Sequence, residues 1–119
     1  MQTEKDNKTI NILGTDYNIN FVPENNDRLQ KLGADGYTDT TTKDICIAYF
    51  EPDERSVKNL DYYQRKVMRH EIIHAFCYES GLWNNSGRVD GWAINEEMVD
   101  YIAIQHSKMH EAFKQAGAL

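Results

Sequence analysis

Two hydrophobic rhythms divide the chain. Between residues 9 and 50 apolar side chains alternate in short runs, and between 57 and 116 they recur at helical spacing. In Thr9 to Leu13 the apolar positions are Ile10 and Ile12; in Tyr17 to Val22 they are Tyr17, Ile19 and Phe21. A period of two predicts strands with one buried face. Gly14-Thr15-Asp16 between them predicts a tight hairpin turn, and Pro23 ends the second strand. Asn25 to Leu32 predicts a short helix stopped by Gly33, and the turn formers from Ala34 through Asp39 predict an irregular connection. Asp44 to Phe50 predicts another strand. It is apolar on both faces, as in a strand covered on both sides.

From Val57 to Ser80 the pattern predicts a helix, with Ser56 or Asp53 as N-cap and Gly81 just past its end. Leu60, Tyr63, Val67, His70 and His74 recur along it at helical spacing. A polar loop from Leu82 to Val89 follows, with Trp83 and Trp92 as its expected anchors. The last helix is expected to begin near Asp90 or Asn95. Ile94, Met98, Ile102 and Met109 would line one side, and the tail would fray from Lys114. No Gly/Ser/Pro linker separates the halves, and 119 residues suit one domain. The expected fold is a single α+β domain over residues 1–119. In it a small N-terminal antiparallel or mixed β-sheet packs on two long C-terminal helices, with residues 1–8 disordered.

Charge narrows the function. Lys and Arg total 13 against 19 Asp and Glu, for a net charge of −6. Such a surface repels phosphate backbones, so nucleic acid is not an expected partner. The one dense basic cluster is Arg65, Lys66 and Arg69. No run approaches the roughly 18–20 apolar residues of a membrane span. Met1 to Thr9 is polar and lacks the apolar core of a secretory signal. The expected location is therefore the cytoplasm, of a bacterial cell or an infected host cell. Cys46 and Cys77 then read as reduced, small apolar core side chains.

The candidate chemistry lies in His70-Glu71-Ile72-Ile73-His74, an H-E-x-x-H sequence inside the first long helix. Spacing of i and i+4 puts both imidazoles on one helix face, a turn apart. Two neutral imidazoles there can share one Zn²⁺ at about 2.0–2.1 Å. Glu71 projects from the neighbouring side. It can reach a water at the metal without ligating it, as a general base for hydrolysis must. A catalytic zinc needs a third protein ligand and an open position. Asp90, Glu96, Glu97, Asp100, His106 and His110 are the downstream candidates. The two histidines lie ten and fourteen residues past Glu96, about 15–21 Å along one helix, so neither could share one metal with Glu96.

The spacing from His70-Glu71-x-x-His74 to Asn95-Glu96-x-x-x-Asp100 resembles the gluzincin arrangement of thermolysin-like metalloproteases. In size and element order the chain is similar to the small zincin-like proteins of phages, prophages and mobile elements, of the ImmA/IrrE metallopeptidase type. The resemblance is local, and the large thermolysin-like domains are absent. A Glu-Ala-Asn-x-Phe-Ala stretch typical of the small family is replaced by Glu97-Met98-Val99-Asp100-Tyr101-Ile102. Carried over residue by residue, the resemblance implies one Zn²⁺ on His70, His74 and Glu96, with Glu96 favoured over its neighbour Glu97. Glu71 is then the base, and Asp100 accepts the second N–H of a ligand histidine. Tyr37, Tyr49 and Arg88 are candidates to stabilise the oxyanion or contact substrate. The strand Asp44 to Phe50 would form the cleft edge that pairs with an extended peptide. The implied function is a zinc-dependent metalloprotease that hydrolyses peptide bonds of an intracellular protein, a regulator by family analogy. The alternative is a non-catalytic zinc-binding phage or mobile-element protein that docks on a host protein.

Overall fold

The computed structural model describes residues 7–85 and 96–119, apart from the side chains at 85, 96, 99, 100 and 103. Its elements are β1 (Lys8–Ile12), β2 (Thr15–Pro23), α1 (Asp27–Leu32), β3 (Gly36–Asp39), β4 (Asp44–Tyr49), α2 (Leu60–Glu79), α3 (Leu82–Asn85) and α4 (Glu96–Ala116). The strands form one mixed sheet in the order β1-β2-β4-β3. β2 and β4 run parallel, and the two outer pairs are antiparallel. This is the expected α+β architecture, a small sheet followed by long helices. No helix among the described residues is long and apolar enough to cross a membrane.

The β1–β2 hairpin turns on Leu13 and Gly14, with φ of +52° and +93°. Both are positive, as a two-residue hairpin loop matched to the strand twist requires. The turn thus sits one residue earlier than expected, because Thr15 already pairs with Ile12. Lys8 lies in the stretch expected to be disordered, yet it opens β1 opposite Ile19. Ile10, Ile12, Tyr17 and Ile19 are buried beneath the helices, as their alternation requires.

β3 replaces the irregular connection expected over Ala34 to Asp39. Four residues containing Gly and Asp show too little alternation to announce a strand; pairing of Tyr37 with Cys46 and of Thr38 with Ile45 makes it one. β4 is central, and Ile45, Cys46, Ile47 and Ala48 are all buried. Ile45 and Ile47 join the core under α2. On the other face Arg28 of α1 lies 4.7 Å over the Tyr37 ring and pairs with Asp39 at 3.8 Å.

α2 begins at Leu60, later than expected, capped by the Asn59 side chain. Ser56 and Asp53 instead bond each other in a preceding turn. Leu60, Gln64, Met68, Ile72, Ala75 and Phe76 form its buried stripe. The chain beyond Gly81 forms the one-turn α3 where a polar loop is expected to start. On α4 the buried face is Met109, Ala112 and Ala116, whereas Ile102 is 51% exposed. Met109 is buried as expected, but small alanines let α4 approach β1 and α2, so tertiary fit adds Ala112 and Ala116 to that face and leaves Ile102 out of it. Ile94 lies outside the described residues. The tail does not fray: Ala116 and Ala118 are fully buried. Lys8, Arg69 and Arg65 donate to the carbonyls of Ala116, Ala118 and Leu119. Two of the three residues of the basic cluster thus hold the tail.

Two local features predict stability. A Cβ on Gly36 would stand 2.9 Å from Val67 Cγ1, 3.1 Å from the Cys46 carbonyl oxygen and 3.2 Å from Glu71 Cγ. Gly36→Ala is therefore expected to destabilise by about 1–3 kcal/mol, the range for overpacking, read as a lower urea midpoint.

At the far end of α2, Glu79 accepts from Tyr17 (2.7 Å), Lys43 (2.9 Å) and Thr15 (3.1 Å). A carboxylate at a helix C-terminus opposes the macrodipole, and these donors offset that cost. Burial works against the charge, but the bonds from Tyr17, Lys43 and Thr15 outweigh it and hold the carboxyl below its ordinary value. A depressed folded pKa stabilises the fold above the unfolded value of about 4.3, and that share is lost as pH falls through the folded value. Thermal melts of wild type should thus lose stability on acidification below about pH 5, and Glu79→Gln should lose less.

Candidate metal centre

The middle of α2 carries the H-E-x-x-H residues. Its backbone sets His70 and His74 one turn apart, with His70 exposed and His74 half-buried. Their Nε2 atoms are 3.1 Å apart, with the rings edge-on at 81°. Two nitrogens bound at about 2.0–2.1 Å to one tetrahedral zinc stand about 3.3–3.4 Å apart. The imidazoles therefore converge at nearly the separation that a shared ion requires. Either ring can donate to the other, according to the tautomer each adopts. A cation between them would accept a lone pair from both.

Glu71 points elsewhere. Its side chain turns toward β3 and is only 6% exposed. Thr38 Oγ1 lies 2.8 Å from Glu71 Oε1 and 3.0 Å from the Glu71 carbonyl oxygen. Glu71 and His70 nonetheless line one cleft of about 240 Å³, together with Gly36, Asp35, Tyr63 and Lys66. The Tyr63 hydroxyl donates to Asp35. That bond, with burial and the carboxylate charge, pushes Tyr63 up to about 12, so its proton stays on the phenol at neutral pH.

On the other side of the imidazoles, His74, Cys77, Leu82, Trp83 and Met98 line a pocket of about 300 Å³. The Trp83 ring stands 5.7 Å from that of His74 and 5.9 Å from that of Tyr78. Burial raises the Cys77 thiol, partly countered by a hydrogen bond with Tyr101, so the thiol stays protonated. Both cysteines are free, as expected.

Comparison with protein-family models, curated proteins and solved structures finds no match. The site therefore rests on its own geometry.

The remaining candidates divide. Glu96 opens α4 and Asp100 follows one turn later, so both are helical as expected; their side chains lie outside the described residues. Arg88 and Asp90 also lie outside them. Glu97 is exposed. Among the described residues no group of three or more His, Cys, Asp or Glu side chains is placed to hold a metal.

Tyr37 is not brought to the cleft. It alternates with Thr38, so it faces α1 and Arg28 on the far side of the sheet. A hydrogen bond with Cys46, then burial, pushes its phenol up to about 12. Tyr49 closes β4 one residue beyond Ala48, whose carbonyl accepts from Gln64 Nε2 at 2.9 Å. That places it near the first turns of α2, about 9 Å along the helix from His70. His106 and His110 stack on each other at 6.2 Å on α4.

One expectation is overturned by the sheet order. β4 has β2 on one side and β3 on the other, so it cannot offer an edge to a peptide. β3 holds the edge position, and Thr38 sits on it. Thr38 was not legible as a site residue, because its segment carries turn formers and its partner is 33 positions away.

Proposed function

We propose that this chain is a small zinc-dependent peptidase of the zincin kind that hydrolyses a protein substrate inside the cell. The observation that supports it is the convergence of His70 and His74 Nε2 at 3.1 Å, with a buried carboxylate from the intervening turn lining the adjoining cleft. A closed structural site gains nothing from a general base beside its ligands.

His70 and His74 would hold the ion, with Glu96 as third ligand at the start of α4. When bound, zinc would polarise the scissile carbonyl and lower the pKa of a water toward about 7. Thr38 occupies Glu71 Oε1, which leaves Oε2 to receive a proton from the attacking water. The water oxygen bonds to the carbonyl carbon, and the C–N bond breaks. Glu71 then returns its proton to the leaving amine nitrogen. Among the described residues nothing pairs with the outer edge of β3. An extended peptide added there would lie against the strand that carries Thr38.

The test is a cleavage screen. A bacterial lysate is incubated with the zinc-loaded protein, with and without chelator, and new protein N-termini are sequenced. Chelator-sensitive cleavage at defined sites is the expected result. Zinc binding without any such cleavage would favour the docking scaffold.

A further inference from the structure

We propose that Thr38 is a positioning residue for Glu71, holding the carboxylate from the edge strand so that one oxygen is left for proton transfer. The proposal rests on the peptidase activity inferred above.

Glu71 is restrained at two points. Its stem passes close to β3: Glu71 Cγ lies 3.2 Å from where a Cβ of Gly36 would stand. Its tip meets Thr38 Oγ1 at 2.8 Å. Among the described residues Thr38 is the only side chain that hydrogen-bonds this carboxylate. Rotation of a glutamate carboxylate about its last bond is broad and roughly two-fold. Packing of the stem alone therefore leaves the oxygens free to swing. A single hydrogen bond to Oε1 removes that freedom and fixes the direction of Oε2.

The group that does this is a hydroxyl, and its chemistry suits the task. It has one proton and two acceptors in reach, Oε1 and the Glu71 carbonyl oxygen at 3.0 Å. Oε1 is the nearer of the two acceptors. When Glu71 carries the transferred proton on Oε2, Oε1 remains a carbonyl oxygen and can go on accepting from the hydroxyl. The carboxylate thus keeps one neighbour through both half-reactions. β3 places the hydroxyl there because Thr38, paired with Ile45, faces α2, whereas Tyr37 and Asp39 face α1.

The test uses Thr38→Val, which keeps the shape and removes the hydroxyl, and Thr38→Ser, which restores it. In the metal-free protein, a urea-unfolding cycle with Thr38→Val, Glu71→Ala and the double variant reads the contact directly. The double variant should depart from the product of the singles by roughly 10-fold in the unfolding equilibrium constant. With zinc loaded, Thr38→Val should lower kcat roughly 10–100-fold on a peptide spanning a site found in the lysate screen. KM and zinc affinity by chelator competition should stay unchanged, and Thr38→Ser should restore kcat. Additive singles, wild-type turnover by Thr38→Val, or failure of Thr38→Ser to restore it would each overturn the role of Thr38 and leave the peptidase standing. Absence of zinc-dependent cleavage by wild type would remove the peptidase, and the role of Thr38 with it.

Discussion

His70→Ala and His74→Ala are each expected to abolish stoichiometric zinc binding. The imidazoles would supply two adjacent corners of one coordination sphere, and their Nε2 atoms already stand 3.1 Å apart. Removing either leaves a single nitrogen on α2, which cannot compete with water for the ion. Because ligands from separate helices would couple metal binding to folding, zinc should also raise the melting temperature of wild type and of neither variant. Glu96→Ala should join the histidine variants, and Glu97→Ala should bind as wild type does. Asp100→Ala should weaken binding by about 10–100-fold, the usual cost of losing the partner that orients a ligand histidine. Elemental analysis after gel filtration checks the series. Full zinc in either histidine variant would move the site elsewhere.

Glu71→Gln separates catalyst from scaffold. The amide keeps the size of the side chain and can still accept from Thr38, so the packing beside Gly36 is preserved. Zinc content should be unchanged, and the melting temperature nearly so. What is lost is the basic oxygen. Cleavage of the sites found in wild type should fall by about 10²–10⁴-fold, the contribution of general acid–base catalysis. Equal cleavage by wild type and Glu71→Gln would refute a proton-transfer role for this residue. Loss of zinc in the variant would instead make Glu71 a ligand.

Much of this was legible along the chain, because the relevant physics is local. Spacing of i and i+4 puts His70 and His74 on one helix face wherever α2 goes. Ile10, Ile12, Tyr17 and Ile19 announce a half-buried hairpin, and the doubly apolar run at Ile45 to Ala48 announces a strand covered on both faces. A short helix stopped by Gly33 was likewise expected; its cap, Asn26, is a finding of the structure. Such signals depend on neighbours a few residues apart, which the chain itself keeps together.

What escaped depended on partners distant in sequence. Gly36-Tyr37-Thr38-Asp39 becomes a strand only through pairing with β4, and that pairing takes the cleft edge away from β4. The tail is ordered because Lys8, Arg65 and Arg69 reach its carbonyls across gaps of 49 to 108 residues. Packing against β1 and α2 decides that α4 buries Ala112 and Ala116 beside the expected Met109 and leaves Ile102 exposed. The α+β order and the histidine pair follow from periodicities that repeat within a few residues of the chain. The inward turn of Glu71 toward Thr38 comes from the fold, because a side chain's direction is set by whichever surface is brought against it.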